Sequence, residues 1–122
     1  MGLVLARLDD ARGSIAALDT AVRLDPRNAR ALVWMGMVQT NAGRATDALA
    51  AFERAAQIDP TNGDAWIGIA NAQMTRRDFD AATEALQNAR RLQPDRPIVQ
   101  ETAKRLQSLQ ARNASQGHRH NE

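Results

Sequence analysis

The sequence lacks cysteine and tyrosine altogether and has only two histidines among its 122 residues. Without cysteine, neither a disulfide framework nor a thiolate metal site can form, and the redox compartment stays open. Both histidines, His118 and His120, lie in a small polar stretch near the C-terminus, which favours a flexible tail over a metal site. No glycine-rich phosphate loop is present. We therefore expect no enzymatic activity, no cofactor and no metal site.

Long apolar runs are also missing. Residues 1–7 carry no basic leader, and their apolar stretch is too short for a secretory signal or a membrane span. If the chain is complete, this predicts a cytoplasmic protein without a membrane span. If it is a piece of a longer protein, a signal could lie upstream. No stretch alternates between apolar and polar residues, so no strand is predicted.

Aromatic residues are scarce, at 3%, although 43% of the residues are hydrophobic. Much of that fraction is alanine, which is typical of thin, closely packed helices. The formal net charge is only +2, and acidic residues are interleaved with the basic pairs. This pattern predicts a solvated surface and no nucleic-acid partner. The basic pairs are Arg76-Arg77, Arg90-Arg91 and Lys104-Arg105.

A repeat is the strongest signal in the chain. Pro26, Pro60 and Pro94 recur 34 residues apart, and each closes a short apolar phrase. Superposing the chain on itself at this period aligns Gly2 with Gly36 and Ala70, Leu18 with Phe52 and Leu86, and Ala21 with Ala55 and Ala89. A fixed period of this length marks an array of supersecondary units, each too small to bury its own apolar face.

Each unit is predicted to contain two helices, since apolar residues recur at helical spacing in both of its halves. Gly43 can take the left-handed conformation that ends the first helix of the middle unit. The residue before each proline is pushed out of the helical region, which ends the second helix. The pattern therefore predicts an all-α chain that reads helix, turn, helix, turn.

These residues resemble the tetratricopeptide repeat, whose pattern is W-x2-L-G-x2-Y, then A-x3-F, then a closing P. The middle repeat matches at Leu32, Met35, Gly36, Ala48, Phe52, Ala55 and Pro60, and the next at Trp66, Ile69, Ala70, Ala82, Leu86, Ala89 and Pro94. Both depart at the Tyr slot, where Gln39 and Gln73 stand. The resemblance implies a right-handed α-solenoid of antiparallel helix pairs. It divides the chain into a partial repeat at 1–28, repeats at 29–62 and 63–96, a capping helix at 97–112 and a disordered tail at 113–122.

In that family the first helix of each repeat lines a concave groove that receives a peptide or a partner helix. Carried over by slot, the resemblance implies a groove formed by Arg30, Val33, Trp34, Met37, Thr40, Asn41, Asp64, Ile67, Gly68, Asn71, Met74 and Thr75. Trp34 is the expected anchor, since aromatic side chains often supply much of the binding energy in such a groove. Chaperone-binding members grip a terminal carboxylate with Lys, Arg and Asn side chains. The matching slots here hold Val33, Met37, Gly68, Ile98 and Thr102, so we do not expect chaperone-tail recognition.

The favoured function is a protein-protein interaction module or scaffold that binds a peptide or partner helix in an apolar-centred groove. The alternative is a regulatory or substrate-recruiting fragment of a larger enzyme or assembly factor. The chain begins at Met1 in the middle of the first predicted helix, so that only residues 2–8 of that helix remain. This fits either a fragment or a small adaptor that self-associates through its open N-terminal repeat.

Overall fold

The computed structural model describes residues 15–120, with side chains described to residue 114. Its helices are α1 at 15–24, α2 at Ala29–Asn41, α3 at Ala45–Ile58, α4 at Gly63–Thr75, α5 at Phe79–Leu92 and α6 at Pro97–His120. No strand occurs within this range. The predicted all-α class is confirmed. The first predicted helix at 2–8, and with it the face on which self-association was predicted, lies outside the described residues.

The helices form two layers. α2 packs against α3, and α4 against α5, as antiparallel neighbours along the chain. α2 also contacts α4, and α4 contacts α6, so these three helices lie side by side as an inner layer. α3 and α5 form the outer layer, and each fits between two inner helices. This is the arrangement of a solenoid, in which each unit buries its apolar face against the next one.

Alanine lets these layers approach closely. Four alanines of the outer layer are completely buried. Ala48 and Ala82 occupy equivalent positions in successive repeats, and so do Ala55 and Ala89. All four lie in the second helices of their repeats, α3 and α5. Since alanine has only one side-chain carbon, the backbones of neighbouring helices can come together with larger residues filling the spaces between. The apolar content of the chain thus forms a core despite the scarcity of aromatic residues.

Phe52 is the largest of these filling residues. Its side chain is 3% exposed and lies between two glycines of the inner layer, Gly36 on α2 and Gly68 on α4. A Cβ atom added at Gly36 would lie 2.7 Å from the ring, and one added at Gly68 would lie 2.5 Å from it. The ring therefore occupies space that the two missing side chains leave open. It joins three helices at the middle of the array.

The turns between repeats are built by aspartate and asparagine. Asp25 and Asp59 each accept a hydrogen bond from the backbone N–H two residues later. Asn28 and Asn62 then cap α2 and α4, accepting from Ala31 N at 3.0 Å and from Ala65 N at 3.3 Å. These bonds fix the turn and satisfy an otherwise unpaired N–H at the start of each helix.

The third turn between repeats is different, because Gln93 and Arg96 replace the aspartate and the asparagine. Arg96 Nη1 donates to Gln93 Oε1 at 2.7 Å and also forms an ion pair with Asp64 Oδ1 at 2.7 Å. The Gln93 side chain lies against Gly63, the first residue of α4. This turn is thus fastened to the helix that begins its own repeat.

The turns within the repeats at 29–62 and 63–96 use one left-handed residue each. Gly43 has φ +79°, which confirms the predicted end of α2. Arg77 stands one repeat later with φ +66°, a conformation that is unfavourable for a residue with a side chain. Its guanidinium lies 5.9 Å from the centre of the Phe79 ring and donates to Asn113 Oδ1 at 3.3 Å. These contacts link the turn to α6.

The last helix is longer than the sequence indicated. The capping helix was predicted to end at residue 112 and a disordered tail to begin at 113, whereas α6 continues to His120. Its buried apolar stripe ends earlier, with Leu106 buried and Leu109 half-buried. No proline interrupts the following residues, so the backbone hydrogen bonds can continue without further packing. No helix in the described range is both long and apolar enough to cross a membrane.

Candidate functional site

The inner layer carries a groove formed by α2, α4 and the start of α6. Two adjoining hollows make up this groove, and both are lined by Met37, Asp64 and Arg96. Of the twelve residues expected in the groove, ten line one or both hollows: Arg30, Val33, Trp34, Met37, Thr40, Asn41, Asp64, Ile67, Gly68 and Asn71. The structure therefore brings these ten together on one surface.

The first hollow, of about 370 Å³, lies at the N-terminal ends of the inner helices. Arg30 comes from the first turn of α2, and Asn62 and Asp64 flank the start of α4. Arg96 comes from the residue before α6. Val33 and Trp34 provide the apolar part of this hollow. It is thus an apolar surface with charged residues along one edge.

The second hollow, of about 320 Å³, lies further along the same helices. Phe52 and Gly68 line it together with Ile67 and Ile98. Thr40, Asn41 and Asn71 line its other part. None of these three side chains carries a charge. The groove therefore changes from charged at the beginning of the inner helices to neutral and polar towards their ends.

Large apolar side chains are exposed in this groove. In the described part of the chain only four such side chains are exposed, and three of them line the hollows: Trp34 at 57%, Met37 at 47% and Ile98 at 38%. Trp34 lies two residues after the buried Leu32, about 200° around the helix, and its exposure follows from that position. Val33 and Ile67, expected to be displayed to a partner, are only 6% and 7% exposed and instead form part of the groove's base.

Two expected residues do not belong to the groove. Met74 is 3% exposed and packs in the hydrophobic core. Thr75 is the last residue of α4 and lines neither hollow, and its hydroxyl donates to the backbone carbonyl of Asn71 at 3.1 Å. Both residues were placed in the groove by carrying over the slots of the family, which do not show where the last turn of α4 passes beyond the groove.

Arg96 lines both hollows but was not predicted from the sequence as a groove residue. Its Nη1 atom binds Asp64 and Gln93, and the Arg96 and Asp64 side chains are 37% and 55% exposed. Within the described range, its Nε and Nη2 make no hydrogen bond. Arg96 stands where the earlier repeats have Asn28 and Asn62. That loss of a capping residue was the available sequence signal.

A separate hollow lies on the other side of α4, between α3 and α5. It is lined by Trp66, Ile69 and several polar residues, with Glu53 and Glu84 as its only charged groups. Trp66 is half-buried and donates its indole N–H to the carbonyl of Pro60 at 2.8 Å. This hollow is acidic, whereas the groove contains two arginines and one aspartate.

Comparison with known proteins agrees with this architecture. One tetratricopeptide repeat family model matches residues 40–112, and a second matches residues 1–63. The chain belongs to the tetratricopeptide repeat family. As a member of that family it is a protein-protein interaction module. A comparison with curated proteins gives no significant match.

Several solved tetratricopeptide structures are similar to this chain. YrrB, described as having an unusual peptide-binding site, is 27% identical with a TM-score of 0.73, and the match covers 84% of this chain and 53% of the YrrB chain. This chain thus spans about half of YrrB. The first such domain of Spaghetti (RPAP3), bound to the HSP90 peptide SRMEEVD, has a TM-score of 0.80 at 12% identity, covering 90% and 87% of the two chains. PcrH, in complex with the chaperone-binding region of PopD, has a TM-score of 0.75 at 19% identity, covering 92% and 87%.

Proposed function

We propose that the groove of this tetratricopeptide array binds an apolar segment of another protein, either a helix or an extended peptide. One observation carries the proposal: Trp34, Met37 and Ile98 are exposed on the same surface. An apolar patch with a polar edge is typical of a surface that is covered by a partner. Large aromatic side chains are frequent energetic centres of such interfaces, and methionine adapts to varied partner shapes.

The groove is open and has a defined base. Val33, Ile67 and Phe52 are buried or nearly so, and they give the hollows a fixed apolar base. Because these residues are already packed in the unbound protein, binding does not require them to be ordered again. The adjoining hollows run along the inner helices, which suits a segment several residues long better than a small ligand.

A terminal carboxylate clamp of the chaperone-binding kind has no support here. At the matching slots, Val33, Gly68 and Thr102 are buried, and Met37 and Ile98 are apolar. The Thr102 hydroxyl donates to the Ile98 carbonyl at 2.6 Å. These positions supply no positive charge for charge-assisted bonds to a chain terminus. We therefore propose recognition of an internal apolar segment.

A crosslinking capture tests the proposal. A photoreactive amino acid at Met37 should crosslink a discrete set of proteins in extract from the source cell, and Trp34→Ala should abolish most of this crosslinking. The control is the same photoreactive residue at Arg90, which is exposed on the outer helix α5. Equal crosslinking from both positions, or capture from Met37 that is insensitive to Trp34→Ala, would exclude the groove as the binding site.

A further inference from the structure

The charges of the groove lie along one edge. Arg30, Asp64 and Arg96 line the first hollow, and they stand at or near the N-terminal ends of α2, α4 and α6. No charged side chain lines the second hollow apart from Asp64 and Arg96, which the two hollows share. A partner segment in the groove would therefore meet all the charge on one side.

The balance of charge at this edge is positive. Two arginines face one aspartate, and Asp64 is already bound to Arg96 at 2.7 Å. Within the described residues, Arg30 has no carboxylate within ion-pair distance. The N-terminal ends of the inner helices add partial positive charge to the same edge. A carboxylate brought to this edge would be attracted, whereas an ammonium or guanidinium group would be repelled.

Arg96 also retains unused hydrogen-bond donors. Only its Nη1 atom is engaged by Asp64 and Gln93, and Nε and Nη2 make no bond to the described residues. A guanidinium has five N–H groups in a planar fork, so it can hold two carboxylates at different edges. The ion pair with Asp64 fixes the Arg96 side chain beside the groove and leaves these donors available.

From this geometry, and resting on the proposed function of the groove, we propose that the bound segment carries an acidic side chain next to its apolar ones. The carboxylate lies at the N-terminal edge and binds Arg96 and Arg30. The neighbouring apolar side chains contact Trp34, Met37 and Ile98. The same segment would not bind in the acidic hollow on the other side of α4, because Glu53 and Glu84 would repel its carboxylate there.

A displayed library of random twelve-residue peptides, selected on the immobilised protein, tests this proposal. We expect the selected peptides to contain Asp or Glu beside large apolar residues. For the best such peptide, Arg96→Gln or Arg30→Gln should weaken binding about fivefold, the size expected for one partly exposed charge interaction. Asp64→Asn should strengthen binding, because it removes the competing negative charge while its amide oxygen can still accept the hydrogen bond that positions Arg96. Arg90→Gln, on the outer helix, is the matched control and should leave the affinity unchanged.

The outcomes separate this inference from the proposed function. Peptides that require Trp34 but show no acidic preference, or that bind equally well to Arg96→Gln, would overturn the charge inference and leave the groove as the binding site. Weaker binding to Asp64→Asn would likewise overturn it. If no peptide is selected, or if the selected peptides bind equally to Trp34→Ala, both the groove proposal and the charge inference are wrong.

Discussion

Replacing Gly68 with alanine should destabilise this array, although alanine is the better helix former. In an exposed helix interior the change from glycine to alanine stabilises by about 1 kcal/mol. At Gly68, however, the new Cβ would lie 2.5 Å from the Phe52 ring. The ring has little room to move away, because it also lies against Gly36 on α2, where an added Cβ would be 2.7 Å from it. Overpacking of this kind costs about 1 to 3 kcal/mol, so we expect a net loss of about 1 kcal/mol.

A double-mutant cycle that combines Gly68→Ala with Phe52→Leu tests this prediction. The Phe52→Leu substitution removes ring atoms from the contact. The next repeat supplies a natural precedent, since the corresponding positions hold Ala70, Leu86 and Thr102, and all three are buried. One repeat later, the smaller Leu86 takes the position of Phe52, and the larger Ala70 and Thr102 take the positions of the two glycines. Gly68→Ala should therefore be harmless or stabilising in the Phe52→Leu background, giving a favourable coupling of about 1 to 2 kcal/mol.

Urea unfolding followed by far-ultraviolet circular dichroism measures all four proteins of this cycle, and an unchanged slope against denaturant shows that the compared states are the same. Gly63→Ala is the comparison, because its Cβ would meet the end of the Gln93 side chain, which can rotate away at the loss of its hydrogen bond from Arg96, and not a packed ring. If the effects of Gly68→Ala and Phe52→Leu simply add, the ring does not fill the space at Gly68 and the packing argument is refuted.

Four further substitutions have definite expected outcomes in thermal or urea unfolding. Arg44→Asn should stabilise by about 1 kcal/mol, because α3 begins without a side-chain cap whereas α2, α4 and α5 have one; an unchanged midpoint would contradict this. Gly43→Ala should destabilise by about 1 kcal/mol, although no atom lies within 4 Å of the new Cβ, because φ is +79°; a neutral result would show that this turn relaxes freely. Phe52→Ala should cost about 3 to 5 kcal/mol, whereas Trp34→Ala, at a residue 57% exposed, should change stability little; similar losses from both would place Trp34 in the core.

The sequence was sufficient to predict the parts of this structure that repeat. The period of 34 residues located the two helices of each repeat and aligned Phe52 with Leu86, which are both buried, and the family resemblance placed Trp34 in the groove that it lines. These features depend on local helix geometry and on contacts between equivalent positions in successive repeats. Because equivalent positions recur in each repeat, the same sequence pattern is observed several times, and it can be interpreted without a structure.

The features that do not repeat were harder to predict. The ion pair between Asp64 and Arg96 joins residues far apart in the sequence, and its arginine replaces an asparagine of the earlier turns. Helical spacing could not tell whether Val33 and Ile67 are displayed or form the base, because the answer depends on how closely α2 and α4 approach. The extension of α6 beyond residue 112 has no apolar stripe in the sequence, since residues 113–120 are mostly small or polar.

The unusual third turn has a consequence for the order in which the array opens. The turns at Asp25 and Asp59 are held mainly by hydrogen bonds within a few residues of chain, with one exposed, longer bond of 3.4 Å from Arg54 to the Pro26 carbonyl. The turn at Gln93 instead reaches back to Gly63 and Asp64, so the repeat at 63–96 holds its own two ends together. Stepwise unravelling from the C-terminal end should therefore pause after α6 detaches, with this repeat still closed. In hydrogen exchange, α4 and α5 would then behave as one cooperative unit that outlasts α6.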